Sequence, residues 1–152
     1  MQLMPLSLSI GILAAIWTFV SAEFGILTWP AFVGWAMFFF AGANKESLTK
    51  NIPPMFSGVI LGFISIKVLT AMGGGSATLA VLVGIIAFIM TFMINIPLFA
   101  TAPAAFAACA TYFGVGDPIK AVIPLFIGLI LGYISAEIPG MFAGKSDKSQ
   151  SA

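Results

Sequence analysis

The sequence predicts an all-α membrane protein of about six transmembrane helices, arranged as a 3+3 inverted-topology repeat. Three observations carry this. First, 61% of the 152 residues are apolar and only 7% are charged, where a soluble domain carries about a quarter. So few charges cannot cover a water-facing surface. Second, the apolar residues fall into six long runs with no strand-like alternation, which argues helices rather than barrel strands. A helix alone pairs its own backbone in hydrocarbon. Third, the runs recur as a duplicated set of three.

The first run extends from about Leu6 to Ala22 and ends near Glu23-Phe24-Gly25. No Lys or Arg precedes it, which argues against a cleaved signal peptide. The second begins at Thr28-Trp29-Pro30 and reaches Ala43. A polar stretch, Asn44 to Asn51, separates it from the third, Pro53 to about Met72. Gly73-Gly74-Gly75-Ser76 reads as a turn. The fourth run spans Ala77 to about Ile94, and Asn95-Ile96-Pro97 breaks it. The fifth spans about Leu98 to Val115. Gly116-Asp117-Pro118 is a turn in which Asp117 is placed to cap the sixth, about Ile119 to Ile138. A polar tail from Lys145 to Ala152 is expected to fray. The whole reads as one membrane domain, with repeat one at about 6–72 and repeat two at about 77–140.

A shift of 73 residues lays Gly11–Phe19 on Gly84–Phe92 with six identities in nine, and Thr28-Trp-Pro-Ala31 on Thr101-Ala-Pro-Ala104. A shift of 70 lays Pro54–Ser65 on Pro124–Ser135 with eight identities in twelve. Chance in apolar sequence gives roughly one match in seven to ten from residue usage. Three spans is an odd number, so the second copy must enter from the opposite side. Such inverted repeats recur in channels and transporters, with the site near mid-depth. A duplicated bundle without a pathway is the competing reading.

Lysines set the expected orientation. Lys45 and Lys50 lie between helices two and three, and Lys145 and Lys148 lie in the tail. The positive-inside rule then puts both termini in the cytoplasm.

Candidate site residues follow from the duplication. Thr28-x-Pro30 and Thr101-x-Pro103 open the two shortest runs. From Pro30 to Ala43 is 14 residues, and so is Pro103 to Gly116, roughly 21 Å against a hydrocarbon core of about 30 Å. Short, proline-interrupted segments at matching positions point to a transport site, where exposed amides and threonine hydroxyls face the solute. Prolines at ordinary first-turn positions near the interface are the alternative. Among the aromatic residues Trp17, Trp29, Trp35, Phe38, Phe39, Phe40, Tyr112 and Phe113, the matched pair Phe40 and Phe113 is the candidate constriction, with lipid-facing belts the alternative. Asn95 is a candidate pore group or interhelical hydrogen-bonder. Gly58-x-x-x-Gly62 and Gly128-x-x-x-Gly132 read as helix-packing seams, within or between subunits. Lys67 and Glu137 snorkel from helix ends. Cys109 reads as a small packing residue.

Other classes find little support. No basic face suits nucleic acid. No metal-ligand cluster, nucleophile–base pair or phosphate-cradling loop is apparent, so neither an enzyme nor a cofactor is expected.

The Gly114-Val-Gly-Asp117 turn, followed by Lys120 and Val122-Ile-Pro-Leu-Phe-Ile-Gly-Leu-Ile-Leu-Gly-Tyr133, joins Pro103-Ala-Ala-Phe-Ala-Ala-Cys-Ala-Thr-Tyr-Phe113 and Gly11-Ile-Leu-Ala-Ala-Ile-Trp17 in one pattern. It resembles the YcdZ-like family of small bacterial inner-membrane proteins, a domain-of-unknown-function family. The resemblance spans nearly the whole chain and implies a multi-pass bacterial inner-membrane protein. It transfers no substrate and no functional residue. The reading from the residues is a channel or facilitator for a small neutral or weakly acidic solute, in a homo-oligomer within the lipid bilayer. An ion-coupled secondary transporter and a non-transporting accessory or scaffold protein are the alternatives.

Overall fold

The computed structural model describes the backbone of residues 3–149 and the side chains through Met141. Those residues form six helices: α1 Leu3–Glu23, α2 Trp29–Phe40, α3 Lys45–Ala71, α4 Ser76–Phe92, α5 Ala102–Val115 and α6 Pro118–Ser149. α1, α3, α4 and α6 are long and apolar enough to cross a membrane, whereas α2 and α5 are shorter apolar helices. At 12 and 14 residues, these two rise only about 18 and 21 Å.

Three boundaries differ from the sequence expectation. The polar stretch before Pro53 is not a connector but the first two turns of α3. Asn44 caps it: its Oδ1 accepts from Ser47 N at 3.0 Å, and Ser47 Oγ accepts from Asn44 N at 3.1 Å. This reciprocal pair satisfies two orphan amides and starts the helix eight residues early. Pro53 and Pro54 lie inside α3. Each removes a bond to the carbonyl four residues back, on the exposed residues Thr49 and Lys50. The fifth helix starts at Ala102 rather than Leu98. Residues Met93–Asn95 and Pro97–Phe99 form 3-10 turns instead, because Pro97 holds Ile96 extended at φ −100° and ψ 119°. The sixth helix continues to Ser149, past the expected end near Ile138; residues 150–152 lie outside the described residues.

The other breaks fall where expected. Gly73, Gly74 and Gly75 all take positive φ, which bars helix for most other residues. Asp117 Oδ1 accepts from Ile119 N at 2.9 Å and Lys120 N at 3.0 Å, capping α6.

The packing interleaves the two halves of the chain. α2 packs chiefly on α6, and α3 chiefly on α5. α1 leans on α6 and α4 on α3, at the outside. The buried face of α3 is Asn51, Pro54, Met55, Gly58, Val59, Gly62 and Ser65. That of α6 is Ala121, Pro124, Leu125, Gly128, Leu129, Gly132 and Ser135. Both sets follow one three-four helical spacing. Large apolar side chains cover the remaining surface: Leu8, Ile12, Ile16 and Phe19 on α1, and Val81, Ile85, Phe88 and Phe92 on α4. In a bilayer these stripes meet lipid tails.

Candidate functional site

Glycine sets how closely the central helices meet. A methyl group built at Gly58 would overlap the carbonyl of Ala105, and one at Gly128 would overlap that of Ala31. Gly34 likewise lies against the backbone of Leu125. Backbones approach this closely only where one of the two carries no side chain at the crossing. One turn further on, Gly62 meets the Tyr112 ring and Cys109 Sγ, while Gly132 meets the Phe38 ring. The four glycines of the two seams therefore face helices of the same chain. Cys109, buried, packs here between α5 and the Gly62 face.

Phe38, Met55, Val59, Ala104, Ala108, Tyr112, Ala121, Leu125 and Leu129 fill the core between the halves. Two edge-on aromatic contacts brace it. Phe38 meets Tyr133 with ring centroids 6.3 Å apart at 78°, and Tyr112 meets Phe63 at 6.1 Å and 82°. Such T-shaped pairs set a positive ring edge against a negative face. Ser65 and Ser135 end the two buried faces alike: each hydroxyl donates to the carbonyl three residues back, Gly62 and Gly132, at 2.7 Å.

The sequence-derived candidates are not gathered in one cavity. Thr28 is at the α1–α2 junction. Its Oγ1 is 2.7 Å from Ser21 Oγ, and its carbonyl accepts from Trp17 Nε1 at 3.0 Å. Pro30 is buried in the first turn of α2. Thr101 precedes α5 and makes no side-chain cap bond. Pro103, in the first turn of that helix, is exposed. Asn95 is exposed and donates to the Phe92 carbonyl at 2.9 Å, a bond within its own turn. Phe40 and Phe113 are 63% and 38% exposed, on the outer surface of the bundle. The aromatic side chains inside are their neighbours Phe38 and Tyr112. A run that is apolar on every side gives no moment that would separate one residue from the next, so sequence alone chose the adjacent pair.

A buried polar tie was not foreseen. Trp35 Nε1 donates to Ser135 Oγ at 3.2 Å, and Ser9 Oγ lies 2.8 Å from the Ser135 carbonyl. It links α1, α2 and α6. The sequence signal was slight: single serines in apolar runs. Around Cys109, the opposite side of the bundle is apolar, with Ile86, Met90, Ala105 and Leu61 in contact.

Residues 7–140 match the family described as Protein of unknown function (DUF1097). The chain is 31% identical over 157 residues to Inner membrane protein YcdZ of Escherichia coli (strain K12), covering 97% of this chain and 91% of that protein. It is 29% identical over 133 residues to Inner membrane protein YcdZ of Salmonella typhimurium (strain LT2), covering 86% and 83%. No solved structure matches. With these relatives and four long apolar helices, the chain is a multi-pass protein of the bacterial inner membrane.

Proposed function

The chain belongs to the DUF1097 family, and within that family we propose a passive channel or facilitator for a small neutral or weakly acidic solute, built from two three-helix halves of opposite topology. The observation that carries this reading is the matched packing of the halves. Every buried position of α3 from Asn51 to Ser65 has a buried counterpart 70 residues later on α6. The partners exchange in the same way. Gly58 meets Ala105 where Gly128 meets Ala31, and Gly62 meets Tyr112 where Gly132 meets Phe38. These contacts put α5 in step with α2 at a shift of 74, one more than the sequence blocks gave. An exchange of this kind is what a two-fold axis between the halves produces, and three crossings per half would lay that axis in the membrane plane. Both termini then face the cytoplasm, with the lysine-bearing α2–α3 connection beside them.

The route would run along the seam between the halves, closed in this state by Phe38, Met55, Val59, Tyr112, Leu125 and Leu129. An apolar plug without a charge at mid-depth favours neutral species, or a weak acid in its protonated form, over ions. A second reading, a non-transporting accessory or scaffold protein, draws support from the same plug: the described cavities are lined almost wholly by apolar side chains. A homo-oligomer belongs to both readings.

Swelling of reconstituted liposomes against a panel of small solutes separates them. The channel reading expects flux in wild type, faster flux in Phe38→Ala and Tyr112→Ala, and loss in the paired Thr28→Val, Thr101→Val variant. Flux unchanged in the threonine pair removes those hydroxyls from the path. No flux in wild type or in the two plug variants favours the accessory reading.

A further inference from the structure

We propose that α4 is the moving helix of this fold: hinged on Gly73–Gly75, it swings away from α5, while α1, its counterpart in the first half, stays fixed. The two helices are held in opposite ways. The buried residues of α1 are Ser9, Trp17 and Ser21, and each makes a hydrogen bond beyond the helix. Ser9 Oγ donates to the Ser135 carbonyl, Trp17 Nε1 donates to the Thr28 carbonyl, and Ser21 Oγ pairs with Thr28 Oγ1. The buried residues of α4 are Ile86 and Met90. The shift of 73 residues puts Leu82, Met90 and Ile94 where the first half has Ser9, Trp17 and Ser21. Among the described residues, no side chain of α4 hydrogen-bonds to another helix; Thr91 turns back to the Ala87 carbonyl. Ser65, the counterpart of Ser135, donates only within α3, to Gly62.

That difference weighs more in a bilayer than in water. An apolar side chain that leaves protein for lipid tails loses no hydrophobic stabilisation, so close packing and hydrogen bonds are what hold a membrane helix. α4 lacks the bonds, and its packing on α5 is open. A groove of about 120 Å³ runs between Val83, Ile86 and Met90 of α4 and Phe106, Cys109 and Phe113 of α5. Gly84, the glycine of α4, has nothing within 4 Å, so no backbone approaches it as one approaches Gly58. Both ends of the helix are jointed. Gly73, Gly74 and Gly75 all take positive φ, with open space around the first two. At the other end, two 3-10 turns meet at the extended residue Ile96. Few buried contacts between two joints mark the segment that opens at least cost. The role of the motion rests on the channel reading. Ile86 and Met90 cover Ala105 and Cys109 of α5, and Tyr112, one turn further, closes the seam. Outward movement of α4 removes the outer support of α5 and lets it carry Tyr112 out of the seam.

Double electron–electron resonance on the full chain in lipid nanodiscs, in a Cys109→Ala background, reads the motion directly. One pair of spin labels, on Phe88→Cys and Ile130→Cys, spans α4 to α6. The other, on Ala15→Cys and Ile60→Cys, spans α1 to α3 at the positions matched by the shifts of 73 and 70 residues. All four positions are exposed. The α4 pair should show a second, longer distance beside that of the structure, and the α1 pair a single distance. Ser9→Leu, which gives α1 the residue type of Leu82, should add a second distance to the α1 pair as well. A single distance for the α4 pair, an α1 pair as broad as the α4 pair, or an α1 pair that Ser9→Leu leaves unchanged would each overturn the proposal. Liposome flux tests the role of the motion separately. Ile86→Cys beside the native Cys109, oxidised to a disulfide with copper phenanthroline, should lose flux and regain it with dithiothreitol. Flux that persists in the oxidised variant would overturn the part given to α4 in opening. An absence of flux in wild type counts against the channel reading instead, and the spin-label distances then decide whether α4 moves.

Discussion

At Gly58 and Gly128 a single methyl group would meet backbone carbonyls, which cannot move aside as a flexible side chain can. Overpacking at such a crossing costs about 1–3 kcal/mol. Gly58→Ala and Gly128→Ala should each lower the thermal unfolding midpoint in detergent. Gly11→Ala and Gly84→Ala, where the added group meets nothing within 4 Å, should leave it unchanged or raise it through helix propensity. Both glycine pairs were legible in the sequence, because spacing of four is a signal that apolar composition does not blur. Phe38 and Tyr112 were not. Burial and lipid contact favour the same residue types, so the inward face of a membrane helix is hidden from any hydrophobicity pattern. The Trp35–Ser135–Ser9 tie was hidden for another reason: its members are 126 residues apart and meet only once the fold exists.

Among the elements, α3 shows best how local chemistry overrode composition. Asn44 to Asn51 reads as a polar connector, yet the Asn44–Ser47 box makes it helix. Asn51 then reaches back, donating to Ser47 O at 2.7 Å and Met37 O at 3.1 Å, which fixes α3 against the end of α2. Replacing Asn44 by Ala should cost about 1 kcal/mol and open the first turns of α3, read as faster amide exchange at residues 45–50 with α6 unaffected. Helix number and most breaks were legible, because glycine runs and Asp-Pro turns act locally. The 3-10 turns ahead of α5 were not, since an apolar run through Pro97 to Ala102 gives no stop signal of its own. The outer helices also differ. α1 carries three hydroxyl or indole ties, to Ser135 and Thr28, whereas α4 is held through Ile86 and Met90 in apolar contact.

For the molecule as a whole, the proposed architecture rests on exchange between halves: α2 on α6 and α3 on α5, with buried faces in register. The short helices α2 and α5 sit inside this exchange and the long α1 and α4 outside it. A helix of about 18 Å crosses a thicker hydrocarbon layer only where neighbouring protein or local thinning makes up the difference. The expectation that α2 crosses at all is therefore the critical one. If it does, each half reverses the other. Cysteine labelling in a Cys109→Ala background tests this most directly, using a membrane-impermeant maleimide on spheroplasts before and after lysis. The pairs to compare lie at corresponding connections of the two halves, Phe24→Cys with Leu98→Cys and Lys45→Cys with Ile119→Cys. The account predicts that Phe24→Cys and Ile119→Cys label from outside, and that Lys45→Cys and Leu98→Cys label only after lysis. Labelling of both members of either pair from the same side would contradict it.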